Sequence, residues 1–155
     1  MTPAVVAARR AGVVCQVLEY RHDPAAESFG LEAAEAMGVD PRQVFKTLVA
    51  SLASGGLVVA VVPVVARLDL KALAAATGTK KAAMADPGAA ERATGYVIGG
   101  ISPLGQRRRL ATVIDESALT YAQIYVSGGR RGLEIALSPA DLMTLTNATL
   151  APIGR

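Results

Sequence analysis

Lys46-Thr47-Leu48-Val49-Ala50-Ser51-Leu52 and Leu57-Val58-Val59-Ala60-Val61-Val62-Pro63, joined through Ala53-Ser54-Gly55-Gly56, decide the fold of this 155-residue chain. Two runs rich in valine and leucine on either side of a Ser-Gly-Gly turn predict a β-hairpin. The second run is apolar on both faces, which predicts a strand in the middle of a sheet. By the two-residue alternation of a strand, Lys46 shares a face with Leu48 and Ala50, so its ammonium is expected to cross a largely apolar surface. A lysine held there could bind a phosphate or polarise a carbonyl; the simpler alternative is a snorkelling lysine at a strand end.

Outward from the hairpin, cap residues mark the helices. Thr2-Pro3 opens a helix over 3–11 with Gly12 behind it, and Asp69 opens one over 70–77 closed by Gly78. Asp86-Pro87 starts a helix reaching about Arg92, and Ser138-Pro139 starts one over 140–146. Leu31 to Met37, stopped by Gly38, is a further helix, and Asp40-Pro41 opens a short helical turn. Strands are predicted at 13–20, 96–98, 112–115, 123–126 and 133–137. Strands outnumber helices and no regular βαβ alternation appears. The expectation is a mixed α+β fold, a closed or nearly closed β-barrel-like sheet with helices packed outside. No linker or repeat interrupts it, so residues 1–155 are read as a single domain.

Composition removes several function classes. Hydrophobic content of 52% with only 4% aromatics and no Trp means an aliphatic core. The longest apolar run, Leu57 to Ala66, is broken by Pro63 and is far short of the roughly 20 residues a membrane span needs. Arg9-Arg10 follow the short N-terminal apolar run, the reverse of a signal peptide. One Cys excludes an intrachain disulfide and fits a reducing cytoplasm; one His with one Cys argues against a His/Cys metal site. The net charge of +3 is compatible with nucleic acid without indicating it.

The residues that suggest chemistry are glycine-rich and basic. Thr94 to Arg109 contains Gly95, Gly99, Gly100 and Gly105, then Arg107-Arg108-Arg109. Such a loop lets a ligand approach the backbone and can aim N–H groups at an oxygen, which suggests an anionic, oxygen-rich ligand. It matches neither G-x-G-x-x-G nor the P-loop pattern. Ser127-Gly128-Gly129-Arg130-Arg131-Gly132 is a second basic turn, and Glu134 alternates away from Leu133 and Ile135 beyond it. Lys80-Lys81 is a third basic pair; together the clusters could line one rim for an RNA backbone. His22 in Tyr20-Arg21-His22-Asp23-Pro24 reads as part of a turn, and Cys15 as an inert strand thiol. Phe29, between Ser28 and Gly30 in a polar loop, could stack on a base or plug the core.

In this order the segments resemble the YbaK/EbsC family of bacterial aminoacyl-tRNA deacylases. The resemblance rests on Met1-Thr2-Pro3-Ala4-Val5, Tyr20 through Phe29-Gly30, Val44-Phe45-Lys46-Thr47-Leu48, Ala83 to Pro87, Thr94-Gly95-Tyr96 with Gly99 to Gly105, and Ile124 to Leu133. It implies a mixed β-barrel with helices around it, no metal and no organic cofactor. It implies Lys46 as the critical side chain. Tyr20, Phe29, Thr47, Gly99, Gly100, Ile101, Ser102, Ser127 and Glu134 are the implied pocket for the tRNA 3′ end and its aminoacyl ester. The implied activity is cleavage of mischarged Cys-tRNA(Pro) in the cytoplasm, with prolyl-tRNA synthetase as a possible partner and a substrate that supplies its own nucleophile. The alternatives are a deacylase for another small amino acid, such as alanine or serine, and a non-catalytic tRNA- or synthetase-binding module.

Overall fold

The computed structural model describes residues 1–155 as five α-helices and eight strands. They run α1 (Pro3–Arg10), β1 (Cys15–Glu19), α2 (Phe29–Met37), β2 (Phe45–Leu52), β3 (Leu57–Pro63), α3 (Leu70–Thr77), β4 (Ala82–Met84), α4 (Pro87–Thr94), β5 (Ala111–Asp115), β6 (Ile124–Ser127), β7 (Leu133–Leu137), α5 (Pro139–Thr146) and β8 (Thr149–Ala151). Short 3-10 turns at Pro41–Gln43 and Glu116–Thr120 complete the chain.

The hairpin forms as its sequence requires, with Lys46 opposite Val62 and Ala50 opposite Val58. Gly55 and Gly56 turn it with φ of 105° and 86°, a region in which a Cβ is strained. β3 is the central strand of a five-stranded sheet ordered β4-β2-β3-β5-β8, and its Val58 to Val62 are all fully buried. One face of that sheet, through Phe45, Val59, Val61 and Ile114, packs with β6, β7, α1 and α5 in the main core. The other face, through Ala50, Val58, Ala60, Val62 and Val113, is covered by Leu73 and Ala74 of α3.

The sheet does not close into a barrel. β1, β7 and β6 form a separate three-stranded antiparallel sheet, and one parallel bridge, Val44 with Tyr125, links it to β2. Closure would need the outer strands to pair across, but β4 and β8 have only three residues each. The chain beyond β8 instead turns back onto residues 67–69, where Asp69 N–H donates to Ile153 O and Arg67 and Arg155 exchange backbone bonds.

Two further expectations are corrected. Tyr96–Ile98 is not a strand, because Gly95 and Gly99 on either side hold φ of 82° and 90° and turn the segment out of extended geometry. Phe29 is not in a loop but is the first residue of α2, whose N-cap is Ser28.

Candidate active site

β4 covers only part of β2. It pairs with Ala50 to Leu52, and Ala85 N–H reaches Val49 O, so the first half of β2 has an open edge. In an antiparallel ladder the N–H and C=O of one residue point to the same side, alternating along the strand. Val49 faces β4, and Thr47, two residues earlier, therefore turns its backbone N–H and C=O to that open edge. A cavity of about 540 Å³ lies there, floored by β2 and walled by α2, the start of α4, the 95–105 loop and the β6–β7 turn. That volume suits a nucleoside-sized ligand.

Tyr20, Phe29, Lys46, Thr47, Gly99, Ile101, Ser127 and Glu134 all line it. Gly100 and Ser102 do not. A Cβ on Gly100 would stand 3.0 Å from the Arg130 Cα, so this glycine serves the packing of the loop on the turn. Ser102 is fully buried, its Oγ accepting from Leu104 N–H. Neither His22 nor Cys15 lines the cavity. His22 Nδ1 instead meets Glu32 Oε1 at 2.7 Å, behind the Phe29 ring.

Three groups are left poised. Lys46 makes no ion pair, and burial, aided by the charge of Arg67, pulls its pKa below the usual lysine range. The Thr47 hydroxyl is buried without a hydrogen-bond partner, which is costly unless a ligand supplies one. Glu134, on β7 opposite Ser127 of β6, is 6% exposed and has no cation beside it. Burial pushes its carboxyl up to about 8, so near neutrality it is largely protonated and can donate a hydrogen bond. The Tyr20 hydroxyl is raised by burial and then by the Glu134 charge.

At the mouth, the Arg131 guanidinium lies 3.9 Å over the Phe29 ring and donates to Ile98 O at 3.1 Å. Gly99 passes beneath at φ 90°; a Cβ there would come within 2.7 Å of the guanidinium and 2.9 Å of the ring. One arginine thus ties together α2, the glycine loop and the β6–β7 turn. In sequence Arg131 reads only as part of a basic turn suited to RNA, because a contact with Phe29 across about a hundred residues leaves no local signal.

A half-open pocket with an unpaired lysine, a neutral acid, an orphan hydroxyl and an open strand edge can hold a polar ligand end, and its wall has no histidine or cysteine nucleophile. The chain belongs to the aminoacyl-tRNA editing domain family, whose model matches residues 23–145. It is 43% identical over 120 residues, 77% of this chain and 73% of the relative, to EbsC of Enterococcus faecalis, a protein whose name carries a provisional assignment as a Cys-tRNA(Pro)/Cys-tRNA(Cys) deacylase. A solved structure described as a candidate trans-editing enzyme for prolyl-tRNA synthetase superposes over the whole of this chain and 99% of its own, with a TM-score of 0.82 at 28% identity. A second, described as a hypothetical protein, shares the fold with a TM-score of 0.88 at 24% identity over 99% of this chain and all of its own.

Proposed function

We propose that this chain is a trans-editing aminoacyl-tRNA deacylase that removes cysteine from mischarged Cys-tRNA(Pro), working in the cytoplasm as a single domain over residues 1–155, with prolyl-tRNA synthetase as its companion. Membership of the editing family and the 43% identity to EbsC support the substrate class. No helix is long and apolar enough to cross a membrane.

The observation that carries the chemistry is the unpaired Lys46 beside the open edge of β2, in a wall that lacks a side-chain thiol or an imidazole base. Such a site contributes positioning and charge stabilisation rather than a nucleophile. The substrate's own thiol then attacks its ester carbonyl. A carbon–sulfur bond forms, the carbon–oxygen bond to ribose breaks, and the ribose oxygen leaves with the electron pair and takes up the thiol's proton. Lys46 and the Thr47 N–H are the donors available to the oxygen on which negative charge builds. Protonated Glu134 and Ser127 hold the polar end of the aminoacyl group, and Phe29 and Tyr20 enclose the terminal nucleoside.

The test is purified protein against Cys-, Ser-, Ala- and Pro-tRNA(Pro), following loss of the ester. Cys-tRNA(Pro) is expected to be cleaved far faster than Ser-tRNA(Pro), since a pocket separates near-isosteres poorly by binding alone. Cys15→Ser, altering a β1 thiol outside the cavity, should leave the rate unchanged. Equal rates on Cys and Ser esters, or inactivity of folded Cys15→Ser, would refute the substrate-assisted reading.

A further inference from the structure

Arg107, Arg108 and Arg109 are all exposed, and none has a carboxylate within ion-pair distance. Arg42 and Arg130, by contrast, are paired with Asp40 and Glu19. The run is not a loose solvated tail. Arg107 and Arg108 N–H groups donate to Thr94 O and Ala93 O, so the backbone of the run caps the end of α4. The Gln106 side chain holds Ser102 O at 3.0 Å. Gly105, at φ 65°, is wedged so tightly on α1 that a Cβ would come within 2.5 Å of the Pro3 carbonyl. Two of the three arginines thus stand on a backbone held by hydrogen bonds, and Arg109 follows directly.

They wall a second recess, of about 290 Å³, which has no acidic residue in its lining. Thr112 and Thr146, which share it, already spend their hydroxyl protons on Leu110 O and Leu142 O, and Gln106 spends one amide proton on Ser102 O, so the charged donors there are those of the arginines. The recess is also close to the main cavity. The Arg107 side chain lies over Gly95, within 3.5 Å of where a Cβ would be, and Ile98, three residues on, lines the cavity. Three residues span at most about 11 Å, roughly the reach of two extended nucleotides.

We propose that this recess is a phosphodiester-binding site, in which Arg107, Arg108 and Arg109 hold the backbone of the RNA strand whose acylated 3′ end occupies the main cavity. The inference rests on the deacylase reading for the second half of that sentence only. Guanidinium groups suit phosphate because they present forked donors, and their contacts position a strand without reading its bases. The site accordingly anchors the strand while the cavity judges the aminoacyl group.

The experiment has two arms. The first measures binding of uncharged tRNA across a fourfold range of salt, for the wild type, for Arg107→Ala/Arg108→Ala/Arg109→Ala and for the matching triple lysine protein. Each lost phosphate contact should reduce the slope of log K against log salt by about 0.7–0.9, so the alanine triple loses about 2–3. Over fourfold salt the wild type then weakens about 20–40-fold more than the alanine triple, while the lysine triple keeps most of the slope. The second arm compares ester cleavage of full-length Cys-tRNA(Pro) with that of a cysteinylated 3′-terminal adenosine, which cannot reach the recess. The alanine triple should raise KM for the tRNA and leave turnover of the small ester unchanged. An unchanged slope on uncharged tRNA overturns the proposal, whatever the activity of the protein. Equal losses on both esters overturn it too, because the arginines would then be supporting the cavity. Failure of the wild type to cleave any ester refutes the deacylase reading and leaves the salt slope to decide the recess.

Discussion

Replacing Glu134 by glutamine removes a titration while keeping the shape of the neutral acid. The carboxyl is held at about 8 against an ordinary 4.5, with burial as the cause. The folded chain therefore binds this proton more tightly than the unfolded chain does. Its stabilising effect is complete below about pH 4.5 and is lost as pH rises through about 8. Tenfold in proton affinity is about 1.4 kcal/mol, so the rise from 4.5 to about 8 corresponds to at most about 5 kcal/mol. For a domain whose total stability is typically 5–15 kcal/mol, that is a large share. Denaturant midpoints of wild type and Glu134→Gln at half-unit steps from pH 4.5 to 9 isolate the effect, because every other titration is common to both. The variant should match the wild type near pH 4.5, gain on it by up to about 1.4 kcal/mol per pH unit, and level off above about 8. A difference that stays constant between pH 5 and 8 would refute the reasoning, since it would mean a hydrated carboxylate ionised in the ordinary range.

Lys46→Ala should fold with unchanged far-ultraviolet dichroism and lose on the order of 10²–10³ in kcat, the usual cost of one preorganised donor; near wild-type turnover would remove Lys46 from the chemistry. Thr47→Val deletes a buried hydroxyl that has no partner. It should therefore raise stability by about 1 kcal/mol while lowering kcat/KM, and a loss of stability would show that the hydroxyl is satisfied in the free protein. Gly99→Ala should cost at least about 1–2 kcal/mol for its positive φ, with more from the collision beneath Arg131 and Phe29, and should lower Tm by several degrees. An unchanged Tm would mean the loop is free to re-form.

The parts legible from sequence were those fixed by local chemistry. Asp69 accepts from Ala72 N–H at 3.0 Å, and Gly78 takes φ 73°, so the bounds of α3 are written in two residues. β3 declared its central place by being apolar on both faces. What was hidden depends on distant partners. β4 and β8 are three-residue edge strands that exist only through pairing with β2 and β5. Barrel closure turns on whether two sheet edges meet, which no local pattern encodes. Lys46, Thr47 and Glu134 were picked out through the resemblance and line one cavity, and periodicity gave the faces of Lys46 and Glu134. The burial that changes Glu134 from a carboxylate to a neutral acid, and the Arg131 contact that pins Gly99, are products of packing. The separation of Gly100 and Ser102 from the cavity is likewise set by the backbone of Arg130 and by the tight Ser102–Gln106 turn.

Thr2 does two jobs at once: its hydroxyl accepts from Val5 N–H as the cap of α1 and donates to Gly128 O in the β6–β7 turn. Gly129, next in that turn, is pressed between Tyr96 and the Thr2 methyl, with φ 107°. The ribbon carrying Ser127 and Arg131 is thus fastened to the second residue of the chain. A change at Thr2, more than a hundred residues away in sequence from Ser127 and Arg131, therefore reaches the wall of the cavity through this fastening, so a library that varies only the lining residues would pass over a position that helps to hold them.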